Sequence, residues 1–388
     1  MTRMRFSRRA EAVSPFFAME FGRRAAELEA DGHHVVKLNI GEPDFGAPPA
    51  FLAAVRELSD GRPLAYTGAL GLPDLRAAIA RFSGEHFGAP VDPSRVVVTT
   101  GASAALLLAC AALIDPGDEV LVGDPSYPCN RRFAESFGAD VRLLATDPTS
   151  RFQLDAATVE RAWSESTRGV MVASPSNPTG TSLAYDELVD LCALARERDG
   201  WRIVDEIYLG LADGDRRSVA ADDPGAIVVN SFSKYFGMTG WRLGWAIVPD
   251  EMVAVAERLA QNYYICPPTP AQFAALTCFE PETIAVAEER RATLRDRRAQ
   301  VTDGLARIGL DVPVPPDGAF YVYVDVSATG LSATDFCDRA LADAHVALTP
   351  GKDFGAVGAE QYVRLSYAAS SAELSLGIER LGGLVAAL

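Results

Sequence analysis

The middle of the chain carries a repeated pattern that few folds can accommodate. The run "RVVVTT" (95–100) leads into the helix-spaced "SAALLLACAALI". "EVLVGD" (119–124) leads into "NRRFAESFG", and "GVMVAS" (169–174) into "YDELVDLCALARERD". "WRIVDE" (201–206) and "AIVVNS" (226–231) follow, and "RLGWAIV" (242–248) reads as one more strand. Continuous β-branched runs alternating with helices predict strands buried on both faces, hence an α/β fold with a mainly parallel sheet covered by helices.

Beyond about residue 280 the pattern changes. A long charged helix, "ETIAVAEERRATLRDRRAQVTDGLARIG", precedes separated strands in "AFYVYVDV", "VALTP" and "YVRLSYA". This predicts a second, smaller α+β domain, joined by the N-terminal helix around "FGRRAAELEADG". The expected division is a large domain over 46–280 and a small domain made of 1–45 and 281–388. A chain of 388 residues is long enough for both.

Charge and composition exclude several functions. A formal net charge of -16 without a long basic run argues against nucleic acid as a partner. No apolar stretch reaches the length of a membrane span. The start "MTRMRFSRRAEAVSPFF" is arginine-rich but lacks the apolar core of a secretory signal, which favours a cytoplasmic protein over a transit peptide. The six cysteines, Cys110, Cys129, Cys192, Cys266, Cys278 and Cys337, form no CxxC pair and read as reduced thiols. Of the four histidines only His33 and His34 adjoin, so neither a metal site nor a histidine triad is expected. No GxGxxG follows the first strand, which argues against a dinucleotide site.

In open α/β sheets ligands sit beyond the carboxyl ends of the strands. Polar and glycine-rich groups recur there. Gly101-Ala102-Ser103 opens a helix and offers backbone N–H groups to a phosphate. Ser231 and Ser233 add hydroxyls, and Arg242 in "TGWRLGW" adds a guanidinium able to grip phosphate with two prongs. Asp205 ends an apolar strand, where a carboxylate needs a cationic partner, such as a protonated ligand ring. Tyr208 lies three residues on. Asn177 sits in the turn "NPTG", and Tyr127 follows a strand end from which it can stack on a flat ligand. Lys234, in "SFSKYFGMTGWRLGW", completes what a pyridoxal phosphate site needs: an amine that bonds to the cofactor aldehyde, a task closed to arginine.

These stretches resemble the fold type I pyridoxal phosphate enzymes, and closely the class I/II aminotransferases of the aspartate aminotransferase superfamily. The motifs are "NIGEPDF" (39–45), "YTGALGLPDLRAAIARF" (66–82), "TTGASAAL" (99–106), "DPSYPCNRRF" (124–133), "SPSNPTG" (174–180), "DEIY" (205–208), "SFSKYFGMTGWRLGW" (231–245), "PGKDFG" (350–355) and "VRLSYA" (363–368). They span nearly the whole chain in the family's order. The resemblance implies a seven-stranded sheet and a role for each position. Lys234 would hold pyridoxal 5'-phosphate as a Schiff base and shuttle the substrate proton. Asp205 would pair with the ring nitrogen. Tyr208 and Asn177 would hydrogen-bond the ring's phenolic oxygen, and Tyr127 would stack on the ring. Ala102, Ser103, Ser231, Ser233 and Arg242 would hold the phosphate. Tyr66 would reach the neighbouring site of a homodimer. Arg364 would clamp the substrate α-carboxylate, with Gly41 and Asn177 beside it.

The implied reaction is a ping-pong transfer of the amino group from an L-amino acid to a 2-oxo acid, 2-oxoglutarate or pyruvate. Dicarboxylate-preferring relatives often carry a lysine where this chain has Ser103. The candidate replacements are Lys37, Arg131 and Arg132. The segment "SPFFAMEF", which lines the active-site mouth in the family, is apolar, so a neutral or apolar donor is expected. The same fold also hosts lyases, synthases and oxidative or decarboxylating enzymes, and the core motifs do not separate them from aminotransferases. A DNA-binding regulator is disfavoured, because only about 40 residues precede "NIGEPDF", too few for an added winged helix.

Overall fold

The computed structural model describes residues 4–13 and 15–388. Met1–Arg3 of the basic start and Ser14 of the apolar segment 14–21 lie outside the described residues.

Seven strands make the main sheet: β2 (Val96–Thr99), β3 (Glu119–Asp124), β4 (Asp140–Ala145), β5 (Thr167–Ala173), β6 (Trp201–Asp205), β7 (Ile227–Ser231) and β8 (Gly244–Ile247). Their order is β2-β8-β7-β6-β5-β3-β4, and only β8 runs antiparallel to its neighbours. Side chains alternate between faces. Val97, Val120, Val122, Ile203 and Val229 join a core with the helices Ala102–Leu113 and Asp250–Tyr263. Val96, Val98, Leu121, Val170, Val172 and Val228 join a second core with the helix Tyr185–Glu197. Burial on both faces explains why these strands read as unbroken apolar runs.

β4 completes the seven strands that the resemblance implies, but no run in the sequence locates it. It lies at the sheet edge, its burial is patchy and it carries Asp140 and Arg142, so no continuous apolar run announces it.

The C-terminal third holds the 27-residue helix Pro281–Arg307 and a three-stranded antiparallel sheet of β9 (Tyr321–Asp325), β11 (Thr349–Pro350) and β12 (Tyr362–Ser366). The expected single strand "VALTP" is divided. Its first residues form β10 (Val346–Ala347), which pairs in parallel with β1 (Val36–Lys37), and its last residues form β11. The helix Phe17–Ala30 buries Phe21 and Ala25 in the same core as Val36 and Val346. Among the described residues no helix is long and apolar enough to cross a membrane, and no cluster of three metal-ligating side chains occurs.

Candidate active site

A cavity of about 270 Å3 opens over the carboxyl ends of the sheet strands. It brings together Gly41, Ala102, Ser103, Tyr127, Asn177, Asp205, Tyr208, Ser231, Ser233, Lys234, Arg242 and Arg364. Tyr66 lies elsewhere, 77% exposed on the surface.

One side of the cavity is an anion cradle. Gly101, at φ +80°, precedes the helix Ala102–Leu113, whose first turn has no side-chain cap. Its early N–H groups therefore remain available. Arg242 occupies the turn before β8 in the left-handed region, at φ 51°, with Nη1 donating to Thr239 O at 2.8 Å. A Cβ at residue 101 would stand 2.5 Å from Arg242 Nη2, so only glycine lets the guanidinium come this close to the helix terminus. Ser231 Oγ accepts from Ser233 N at 3.0 Å, which folds the chain between β7 and Lys234 into a tight turn.

Asp205 ends β6 in the floor, 4% exposed. Its Oδ1 accepts from Ile207 N at 3.1 Å, and no cation among the described residues pairs with it directly. Burial pushes its carboxyl up to about 6, against the pull of that N–H and of Lys234. Lys234 Nζ donates to the Gly41 carbonyl at 2.8 Å. Burial brings the lysine down to about 8, opposed by Glu42 and aided by Arg364 and Arg242. At pH 7 about one such amine in ten is neutral and nucleophilic, far more than for an exposed lysine.

The opposite side comes from both ends of the chain. Arg364, on β12 and 2% exposed, donates to Asn177 Oδ1 at 2.9 Å and to Asn39 O at 2.6 Å. Its Nε is buried with no hydrogen-bond partner among the described residues. Asp353 accepts from the N–H groups of Phe17 and Ala18 at 3.0 and 3.1 Å, and Asn39 Nδ2 donates to Ala18 O at 2.8 Å. These bonds hold Phe16, Ala18 and Met19 over the mouth, where Phe16 meets the Tyr127 ring edge-on at 6.2 Å.

Sequence reasoning missed several lining residues: Asn39, Ile40, Glu42, Leu106, Ile207, Thr239 and Tyr321. Tyr321 shares a 2.9 Å hydrogen bond with the Tyr208 hydroxyl. The candidate cations Lys37, Arg131 and Arg132 line no part of the cavity. Lys37 pairs with Glu29, and Arg132 with Glu135.

The donor set fits pyridoxal phosphate. An uncapped helix terminus beside two serines and an arginine suits a phosphate, and a buried carboxylate lacking a direct cation suits a protonated ring nitrogen. The depressed lysine suits an aldehyde, and the orphaned Arg364 Nε lies on the group offered to a carboxylate.

The family model "Aminotransferase class I and II" matches residues 33–381. The chain is 40% identical to the valine–pyruvate aminotransferase of Mycobacterium tuberculosis, over 95% of this chain and 96% of that one. It is 37% identical to the aspartate/prephenate aminotransferase of Thermus thermophilus, over 96% and 97%. Among solved structures, an aminotransferase from Mycobacterium tuberculosis matches with a TM-score of 0.96 at 39% identity, covering 100% of both chains. The Thermus thermophilus aspartate aminotransferase with maleate matches with a TM-score of 0.93 at 34% identity, covering 98% of this chain and 100% of that one.

Proposed function

We propose, from the premise that this chain belongs to the class I and II aminotransferases of the pyridoxal phosphate fold type I enzymes, that it moves the amino group of a neutral or apolar L-amino acid to 2-oxoglutarate or pyruvate in two half-reactions at one site. The observation that carries the reading is Lys234. Its amine lies in the cavity that also holds a phosphate cradle and a buried carboxylate, and burial brings it down to about 8.

Pyridoxal phosphate, when bound, supplies an aldehyde for a lysine amine and a ring that takes up the electron pair left when the substrate Cα loses its proton. The chain supplies the rest. Ala102, Ser103, Ser231, Ser233 and Arg242 hold the phosphate. Asp205 would face the ring nitrogen and keep it protonated. Tyr127 would stack on the ring, and Tyr208 with Asn177 would hold the phenolic oxygen. Arg364, with Gly41 and Asn177, receives the substrate carboxylate and so presents Cα to Lys234. Lys234 Nζ would bond the aldehyde at rest and, once freed by the substrate amine, would accept the proton that leaves the substrate Cα.

Three observations support the neutral donor. Phe16, Ala18, Met19, Ile40 and Leu106 give the cavity an apolar wall. The lining cations among the described residues, Lys234, Arg242 and Arg364, are all assigned, which leaves none for a second carboxylate. A relative at 40% identity is named for valine and pyruvate.

The working unit in this reading is a cytoplasmic homodimer in which Tyr66 reaches the neighbouring phosphate. Tyr66 and Leu64 are exposed on a loop tied by Thr269 Oγ1 to Ala65 O at 2.9 Å. The division into residues 46–280 and residues 1–45 with 281–388 belongs to the same reading, supported by the pairing of β1 with β10.

The test is the visible spectrum of the purified, cofactor-loaded protein, titrated with single amino acids in the absence of any oxo acid. Valine, alanine and other neutral donors are expected to bleach the band with stoichiometric release of the matching 2-oxo acid. A kcat/KM for aspartate far above theirs would overturn the neutral donor.

A further inference from the structure

Tyr321 lines the cavity, is 1% exposed and has no part in the roles assigned above. Three of its contacts converge on groups that do. Its hydroxyl lies 2.9 Å from the Tyr208 hydroxyl. Its ring carries the Arg364 guanidinium 4.5 Å from the centroid. A Cβ on Gly41 would stand 2.2 Å from its Oη, and the Gly41 carbonyl is the acceptor of Lys234 Nζ. The register of β9 and β12 produces this placement. Tyr323 faces Arg364 across the pair, and Tyr321, two residues along β9, takes the diagonal position on the same face.

A phenol has one proton to donate. If Tyr208 gives its proton to the cofactor's phenolic oxygen, its own oxygen is left to accept. Among the described residues Tyr321 is the hydroxyl within reach. The direction of the shared bond is then set, from Tyr321 to Tyr208 to the cofactor. A donated bond strengthens the next one in such a chain.

We propose that Tyr321 is a positioning residue for both ligands of the site: its hydroxyl turns the Tyr208 proton toward the cofactor, and its ring supports the Arg364 guanidinium that receives the substrate carboxylate. This rests on the assignments of Tyr208 and Arg364 made above. A donor to the phenolic oxygen draws negative charge from it, so the neighbouring nitrogen bonded to Lys234 holds its proton less tightly. Weakening the chain raises the pH at which that proton leaves.

The experiment is a pH titration of the visible band of the loaded enzyme, with KM for valine measured beside it, on Tyr321→Phe, Tyr321→Leu and Tyr208→Phe. Tyr321→Phe is expected to tighten proton binding by about three- to tenfold, the range of one modest hydrogen bond, with KM nearly unchanged. Tyr321→Leu should move the midpoint equally and also raise KM about three- to tenfold, since the guanidinium keeps only the Phe354 ring, 4.8 Å away, of the two that flank it. A Tyr321→Phe midpoint equal to wild type, with Tyr208→Phe displaced, overturns the proposal and leaves the Tyr208 assignment standing. Both midpoints unmoved overturn the two together. A Tyr321→Phe enzyme that merely melts at a lower temperature, with no spectral shift, has lost packing alone, which also overturns the proposal.

Discussion

The two sides of the cavity differ in how the chain builds them. The side proposed for the cofactor is made by strand ends of one sheet: residues 101–103 after β2, Asp205 at the end of β6, and 231–242 from the end of β7 to β8. The side proposed for the substrate is made by segments far apart in the chain, residues 16–19, 39–42, 321 and 364, tied by Asp353, Asn39 and Arg364. The first side is carried on hydrogen-bonded neighbouring strands. The second depends on a few long-range hydrogen bonds, and it meets the part of the ligand that varies between reactions.

Mutations can break this comparison if effects on the cofactor side fail to exceed those on the substrate side. The largest effect is expected from Lys234→Ala, a loss of amino transfer of about 10^4-fold or more, because nucleophile and proton carrier disappear together. Stopped-flow half-reactions that remained within tenfold of wild type would break the assignment.

Asp205→Asn comes next, with an expected loss of about 10^3-fold, the scale of one preorganised charge. It carries an opposite effect on stability. Burial holds the Asp205 carboxyl up near 6 from an unfolded value of 3.8, so the folded chain binds this proton more tightly than the unfolded one. Stability therefore falls as pH rises from about 4 to about 6, and the deficit, up to about 3 kcal/mol, persists at higher pH. The cofactor-free Asp205→Asn chain should melt higher than wild type at pH 7.5 and lose that advantage near pH 4. Calorimetry at the two pH values checks the sign.

On the substrate side, Arg364→Ala should raise KM about 100-fold for every amino donor alike, since it removes a buried, charge-assisted contact common to all. A rise confined to one donor would show that the residue reads side chains instead. The smallest effect belongs to the rim. Met19 is 73% exposed at the mouth. Met19→Lys should shift the ratio of kcat/KM for aspartate to that for valine by about tenfold toward aspartate, the value of one added charge near water. Paired steady-state assays with the two donors measure it.

The same contrast explains what could be read from the sequence. The cofactor side lies in short contiguous motifs whose residues have chemistry written in them: a lysine, an aspartate ending an apolar strand, a glycine opening a helix. The substrate side does not. Tyr321 sits in "AFYVYVDV", where Tyr321, Val322, Tyr323 and Val324 are all buried, so nothing local separates the tyrosine that faces the cavity from its neighbours. Phe16, Met19 and Ile40 are ordinary apolar residues until the fold brings them to one mouth. Arg364 was recognisable through "VRLSYA", but its bonds to Asn39 and Asn177 span 325 and 187 residues. β4 escaped because an edge strand with alternating exposure lacks the pattern that marks its buried neighbours.

The pairing of β1 with β10 has a consequence for synthesis. Val36 and Lys37 are translated 310 residues ahead of Val346 and Ala347, their strand partners. The platform around Lys234 has all its strands long before then. Until β10 is made, the helix Phe17–Ala30, with Phe21 and Ala25 on its apolar face, and β1 behind it lack that strand partner. The seven-stranded sheet can thus be fully translated while the helix Phe17–Ala30 and β1 still lack the strand they pair against.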